Sequence, residues 1–220
     1  MAILKKSHIL NAVCICVISF SSVAQATLVT VEPDDYPPYP AALTNVVEGI
    51  TLSVADGSGT PQLNSQVVGF LGDYSSTGSL VFGRQVTSFV PDDNWFFTNI
   101  SVHSIFRAVF SVPVDEVSID IIQSTAQGDT GALQAYDASG TLLDTDVVSL
   151  GGPGTFATAT VSYPTADIAY ILAGGYPVVN GPPYNIVALD NLRFNVVSIP
   201  TLTGPFNAQE YFPLHPGNQA

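Results

Sequence analysis

Short apolar segments recur along the chain from residue 28 to residue 194, separated by polar and turn-forming residues. Some alternate apolar with polar residues, as in 116–122, and others are continuously apolar. Both patterns are typical of β-strands, whereas an amphipathic helix repeats its apolar residues every three to four positions. The pattern predicts eleven strands, at residues 28–32, 49–54, 66–70, 79–82, 104–112, 116–122, 132–136, 141–147, 156–163, 168–173 and 186–194.

Turn signals stand between the predicted strands. Asp137-Ala138-Ser139-Gly140 separates two short apolar runs and predicts a hairpin, because Asp and Ser form local hydrogen bonds and Gly allows a positive φ. Asp56-Gly57-Ser58-Gly59 is a second signal of the same kind. Many short strands at this spacing favour an all-β sandwich or a closed barrel.

The two ends differ from the rest of the chain. Lys5 and Lys6 precede an apolar run that ends in Ala24-Gln25-Ala26, which predicts a signal peptide at residues 1–26. Residues 27–196 would then form the sandwich domain, and the proline-containing segment 197–220 an extended tail. We expect the protein to be secreted, to the periplasm or the medium, without a membrane anchor.

Removing the leader changes the charge. Both lysines and both cysteines lie within it, so three arginines would face 18 acidic residues in the mature chain. Nucleic acid is therefore not an expected partner, because binding it needs a basic surface. Without cysteines no disulfide can form, so stability must come from the core or from a metal.

Three stretches carry a resemblance to a known family. They are VTVEPDDYPPYPAALTNVVEGITLS; FRAVFSVPVDEVSIDIIQS with GALQAYDASGTLLDTD; and DIAYILAGG with NIVALDNLRF. In this order they resemble exported bacterial proteins that often carry C-terminal sorting signals (PEP-CTERM-like), whose sandwich is similar to carbohydrate-binding modules. The resemblance implies an antiparallel jelly-roll β-sandwich. Ile199-Pro200-Thr201-Leu202 is similar to one sorting motif, but no apolar helix or basic cluster follows it.

The resemblance also implies a structural calcium ion. In such jelly rolls an acidic residue near the first strand and an Asp entering the last strand meet at one edge, and Glu32 and Asp190 match them here. Asp34 and Asp35 are further candidate ligands, since calcium prefers six to eight oxygen ligands. In the alternative interpretation Asp190 accepts backbone hydrogen bonds and Glu32 is solvated.

Aromatic residues in loops are the candidates for ligand binding. Sugar recognition needs aromatic faces and a few polar groups, which Trp95, Tyr176 and Tyr184 could supply. Trp95 could instead belong to the core. We therefore predict a calcium-stabilised, non-catalytic module that binds a glycan or extracellular polymer.

Two alternatives stay open. A structural or matrix protein would assemble through exposed strand edges or apolar patches. A glycosidase would need two carboxylates facing each other across a cleft. No sequence motif for a catalytic serine, a zinc helix or a phosphate loop is present, and we expect no enzyme.

Overall fold

The computed structural model describes residues 25–198 apart from 46, 73, 87–96, 98–102, 125–129 and 177–185. The sandwich is the compact unit Ala26–Ser198. The predicted leader and tail lie outside the described residues, apart from residues 25–26 and 197–198, which belong to the first and the last strand. Within the described part, no helix has the length and apolar character to cross a membrane.

The described residues of the sandwich form eleven strands and one short 3-10 helix. Their bounds are β1 Gln25–Val31, η1 Pro33–Asp35, β2 Ile50–Asp56, β3 Ser65–Leu71, β4 Leu80–Val86, β5 His103–Val114, β6 Glu116–Gln123, β7 Thr130–Tyr136, β8 Leu142–Ser149, β9 Phe156–Ser162, β10 Ile168–Gly175 and β11 Val187–Ser198.

The strands form two sheets. Sheet A has the order β3-β4-β11-β6-β9, with β1 also paired to β11, and sheet B has the order β2-β5-β10-β7-β8. Successive strands stay in one sheet only at the β3–β4 and β7–β8 hairpins and otherwise cross between the sheets. The predicted antiparallel β-sandwich is confirmed, as are the eleven strands and the hairpin around residues 137–140.

The core lies between the sheets because alternate residues of each strand face inward. Phe82 of sheet A packs against Phe106 of sheet B with ring centroids 5.1 Å apart, and Phe97 meets Phe106 edge-on at 5.5 Å. Phe110 and Phe194 make a second contact between the sheets at 5.0 Å. Such fully buried side chains each contribute roughly 1.5–3 kcal/mol through burial alone.

Two turns share the sequence Asp-x-Ser-Gly-Thr and the same hydrogen bonds. In residues 137–141, Asp137 Oδ1 accepts from the backbone N–H groups of Ser139 and Thr141 at 2.8 Å each. In residues 56–60, Asp56 Oδ1 accepts from the equivalent N–H groups at 2.9 and 3.0 Å. Gly140 and Gly59 have φ of 86° and 81°, a conformation that glycine adopts without strain. Hydrogen bonds from Ser139 and Thr141 hold the pKa of Asp137 below its usual value.

The outer edges of three strands, β2, β3 and β9, are covered. At β9, the carboxylates of Asp146 and Asp144 accept hydrogen bonds from the N–H groups of Thr160 at 2.8 Å and Ser162 at 2.9 Å. At β3, the Leu43 N–H donates a hydrogen bond to the Val67 carbonyl at 2.7 Å. At β2, the Gln62 N–H donates to the Val54 carbonyl at 2.8 Å. Each covering contact occupies backbone groups that could otherwise pair with a second chain.

Removing the carboxylates at β9 should expose that edge. We expect Asp144→Ala with Asp146→Ala to form larger species faster than the wild type, because two N–H groups lose their acceptors. Size-exclusion chromatography and light scattering during mild heating would measure this. Glu116→Ala with Asp167→Ala is the control, since it removes the same charge from exposed positions. Equal behaviour of the two double variants would contradict the protective role.

Candidate functional site

Two regions of the sandwich combine polar groups in ways that the core does not explain. The first, here called the carboxylate cluster, consists of Glu32, Asp34, Asp120 and Asp190 around the β3–β4 loop. The second, here called the tyrosine face, is the outward surface of sheet B around Tyr136 and Tyr170.

Local backbone features position the two acidic residues predicted as a pair. Glu32 directly follows β1 at the start of the short helix Pro33–Asp35, and its side chain does not cap that helix. Asp190 lies in β11 just before a register irregularity, where Asn191 has a φ of 53°. The irregularity is a bulge-like distortion, which redirects side chains within a strand.

Asp190 is completely buried and holds the β3–β4 loop. Its Oδ2 accepts hydrogen bonds from the Ser76 N–H at 2.9 Å and the Thr77 N–H at 3.1 Å. Its Oδ1 is buried and has no hydrogen-bond partner. A buried carboxylate oxygen without a partner is costly, so this atom is the most unusual polar group of the cluster.

Glu32 reaches the same loop from β1. Its Oε1 accepts a hydrogen bond from the Thr77 hydroxyl at 2.5 Å, and that hydroxyl is 3.4 Å from Asp190 Oδ2. Burial, with a further contribution from the Asp190 carboxylate, raises the pKa of Glu32 to about 7, although the Thr77 hydrogen bond opposes the shift. The two carboxylates therefore repel each other when both are ionised.

Asp120, in β6, is the fully paired member of the cluster. Its Oδ2 is 2.8 Å from Arg193 Nη2, and its Oδ1 accepts from the Thr158 hydroxyl at 2.6 Å. The Ser76 hydroxyl lies 2.8 Å from Asp120 Oδ2 and 2.9 Å from Asp190 Oδ2, so its one proton can serve only one of them at a time. Sequence reasoning missed Asp120, because it takes one of the polar positions of the alternating segment 116–122 and so gives no signal of its own.

The other two predicted ligands lie on the short helix. Asp34 accepts hydrogen bonds from the N–H groups of Ser79 at 3.1 Å and Leu80 at 3.0 Å. A Cβ at Gly78 would lie 2.2 Å from Asp34 Oδ2, so glycine is required for this close approach. Asp35 is exposed on the same helix. The structure thus brings Glu32, Asp34 and Asp190 to one loop, where Asp34 acts as a backbone hydrogen-bond acceptor.

Oxygen is the only ligand atom in the carboxylate cluster. Hard cations such as calcium prefer oxygen ligands, and the unpaired Asp190 Oδ1 beside Glu32 fits that requirement. No group of three or more Asp, Glu, His or Cys side chains in the described part of the chain could surround an ion. A cation here would need hydroxyl, carbonyl or water oxygens in addition to the two carboxylates.

The tyrosine face follows from strand pairing. Ser53 of β2 pairs with Arg107 of β5, Arg107 with Leu172 of β10, and Leu172 with Gln134 of β7. Two residues along, Tyr170 pairs with Tyr136. Because side chains alternate between the faces of a sheet, these residues share the face opposite the core.

The two tyrosine rings are stacked. Their centroids are 4.9 Å apart with an angle of 3° between the planes, and the Arg107 Cζ lies 4.7 Å from the Tyr170 centroid. The Tyr136 hydroxyl donates to Gln134 Oε1 at 2.8 Å. Burial raises the pKa of Tyr136, with a smaller contribution from Tyr170, and burial lowers the pKa of Arg107.

The two Asp-x-Ser-Gly-Thr turns border this face. A Cβ at Gly59 would lie 3.4 Å from a Leu172 methyl group, and one at Gly140 would lie 3.6 Å from the Tyr170 hydroxyl. Ser53 Oγ and Arg107 Nε are buried without hydrogen-bond partners on the same surface. The face therefore combines two aromatic rings with two buried polar atoms that have unused hydrogen-bonding capacity.

Of the three aromatic residues predicted as ligand contacts, Tyr176 lies in the described part of the chain. Tyr176 is half-buried against the apolar residues of the tyrosine face, among them Ala55 and Leu172, and its carbonyl accepts from the Thr130 hydroxyl at 3.1 Å. Trp95 and Tyr184 lie outside the described residues. Tyr136 and Tyr170 were missed because their proximity depends on the pairing of β7 with β10.

A separate cavity of about 450 Å³ opens beside β1 and β11. Its lining is mainly apolar and includes Val29, Phe110, Phe194 and Val196, with the carboxylate of Glu48 at its border. It has fewer polar side chains than the tyrosine face.

Comparison with known proteins gives a likeness in fold. The sequence matches no protein-family model and none of the curated proteins. Among solved structures, the K2 cleaved adhesin domain of Lys-gingipain is 14% identical, with 77% of this chain and 100% of that domain covered and a TM-score of 0.44. A family 29 carbohydrate-binding module is 12% identical, covering 73% and 98% of the two chains, with a TM-score of 0.30.

An enzyme is also among the similar structures. The enzymatically active domain of bacteriophage CBA120 tailspike protein 4 is 12% identical, with a TM-score of 0.36, and the match covers 73% of this chain but 22% of that one. At these identities the likenesses concern the all-β fold.

The charge balance of the carboxylate cluster predicts opposite effects of two amide substitutions. In EDTA at pH 8, above the raised pKa of Glu32, Glu32→Gln should increase the melting temperature because it removes repulsion with Asp190. Asp120→Asn should decrease stability by about 1–3 kcal/mol because Arg193 loses its counter-charge. Thermal unfolding by circular dichroism measures both. A lower melting temperature for Glu32→Gln would contradict the proposed repulsion.

Proposed function

We propose that this chain is an exported, non-catalytic module that binds a glycan on the tyrosine face and is stabilised by calcium at the carboxylate cluster. The observation that carries the proposal is the stacked pair Tyr136–Tyr170, with Arg107, Gln134 and Ser53 beside it on one sheet surface.

The chemistry of the tyrosine face suits a sugar. Apolar faces of sugar rings pack against aromatic rings, and sugar hydroxyl groups exchange hydrogen bonds with fixed polar side chains. Tyr136 supplies a ring face, while Tyr170, whose two ring faces are against Tyr136 and Arg107, supplies its edge and hydroxyl group. Gln134 and the guanidinium group of Arg107 supply donors and acceptors of the second kind. Both tyrosines are partly exposed, so a ligand can reach them without unfolding the sheet.

Calcium has a distinct part in the proposal. Glu32 and Asp190 would hold the ion, whose charge would offset the repulsion between the carboxylates and engage the unpaired Asp190 Oδ1. Because Glu32 follows β1, Asp190 lies in β11 and both contact the β3–β4 loop, the ion would connect three segments of sheet A. Its role would be structural.

The alternatives have less support. Assembly through the edges at β2, β3 and β9 is disfavoured by the carboxylates and chain segments that cover them. A glycosidase would need two accessible carboxylates, whereas Asp190 and Asp120 are buried beneath the β3–β4 loop. Export, to the periplasm or the medium, is proposed from the predicted leader at residues 1–26.

Calcium should stabilise the protein from residue 27 onward. At about 100 times its dissociation constant, an ion that binds only the folded state adds roughly 2.7 kcal/mol to the free energy of unfolding. We expect the melting temperature to rise in millimolar calcium, and Glu32→Gln and Asp190→Asn to abolish the rise. Asp34→Asn, which keeps an oxygen for the loop N–H groups, is the matched variant that should retain most of it. An unchanged wild-type melting temperature would remove calcium from the proposal.

Glycan binding should depend on the tyrosine stack. On a glycan array the wild type should bind a defined set of polysaccharides, and Tyr136→Ala and Tyr170→Ala should each weaken binding by about 1–3 kcal/mol through lost stacking and lost contact area. Tyr74→Ala removes an exposed tyrosine from the β3–β4 loop and should leave binding unchanged. Full binding by both face variants would show that the tyrosine face is not the site.

A further inference from the structure

We propose that the glycan bound by the tyrosine face is acidic, and that Arg107 binds its carboxylate group. This inference rests on the proposed function and narrows it from glycans in general to uronate-containing ones. The argument comes from the surroundings of Arg107 in the middle of the face.

The three arginines beyond the predicted leader have different surroundings. Arg193 pairs with Asp120 at 2.8 Å, and Arg84 donates a hydrogen bond to the Ser104 hydroxyl. Arg107 is half-buried, contacts the Tyr170 ring, and has an Nε with no hydrogen-bond partner. Within the described residues no carboxylate pairs with it. In a chain with 18 acidic residues and five basic ones, a cation with no counter-charge among the described residues is unexpected.

The charges around Arg107 are also distinctive. On the outward positions of β2, β5, β10 and β7 between residues 51–55, 105–109, 170–174 and 132–136, Arg107 is the only charged side chain. The nearest acidic residues at the border, Asp56 and Asp137, are engaged by Ser and Thr groups of their own turns. The face therefore presents one positive charge amid aromatic and neutral polar groups.

A carboxylate on the ligand would complete this arrangement. A guanidinium group binds a carboxylate through charge-assisted, often bidentate, hydrogen bonds, and stacking on Tyr170 fixes the plane of the group in advance. A uronic acid offers a sugar ring for the tyrosines and a carboxylate for Arg107 in one residue. The net negative charge elsewhere does not prevent this, because at physiological ionic strength charges beyond about 8 Å are largely screened.

The test compares two probes that differ at the carboxyl group, which is a charged carboxylate in one and a neutral methyl ester in the other. Hexagalacturonate and its fully methyl-esterified form are titrated into the wild type, Arg107→Gln and Tyr136→Ala by calorimetry, in EDTA and again in calcium. The same three proteins are also applied to the glycan array described above, and binding to acidic and to neutral glycans is scored separately. Circular dichroism establishes that each variant is folded.

We expect the wild type to bind the acid about tenfold to a hundredfold more tightly than the ester, as one charge-assisted contact would give. Arg107→Gln should reduce that ratio to about one. Tyr136→Ala should weaken both probes and preserve the ratio. Acidic glycans bound on the array but not among these probes would support the inference with a different uronate, provided that Arg107→Gln removes the signal.

Different results would overturn the role of Arg107 and the proposed binding of glycans on the tyrosine face. Equal affinity for acid and ester, array binding confined to neutral glycans, or a preference that survives Arg107→Gln would overturn the role of Arg107 while the tyrosine face stands as a glycan site. Binding to neither probe and to no array glycan would overturn the proposed function, and this inference with it.

Discussion

The burial of Asp190 is the constraint around which sheet A is organised. A carboxylate with no exposure to water is expensive unless its oxygens are compensated. The β3–β4 loop compensates one oxygen by folding its N–H groups at Ser76 and Thr77 onto Oδ2. Asn191, with its positive φ, and the paired Asp120 and Arg193 lie around the same point. The second oxygen, Oδ1, lies near Glu32 and has no hydrogen-bond partner.

Sheet B differs from sheet A in the character of its two faces. Its inward residues, such as Phe106, complete the core, while its outward residues form the tyrosine face. The turns at residues 56–60 and 137–141 stabilise themselves through local hydrogen bonds and border that face. A ligand on sheet B would therefore not disturb the carboxylate cluster, whose members come from β1, β6, β11 and the neighbouring short helix.

The sequence predicts those features that depend on local patterns. The eleven strands of the described residues and the 137–140 hairpin follow from alternation and turn chemistry. The resemblance to exported jelly-roll proteins predicted that Glu32 and Asp190 lie at one site. Asp120 and the Tyr136–Tyr170 stack could not be predicted, because they depend on which strands pair and in what register. Asp34 illustrates a third case. The sequence marks it as a candidate calcium ligand, but its hydrogen bonds from Ser79 and Leu80 depend on the fold of a distant loop.

The central claim is that Asp190 Oδ1 and Glu32 share a cation. A crystal structure grown with calcium, measured at a long wavelength where calcium scatters anomalously, tests it most directly. The account predicts an anomalous peak at about 2.3–2.6 Å from Asp190 Oδ1 and from a Glu32 carboxylate oxygen. A map with no peak at that position would contradict it.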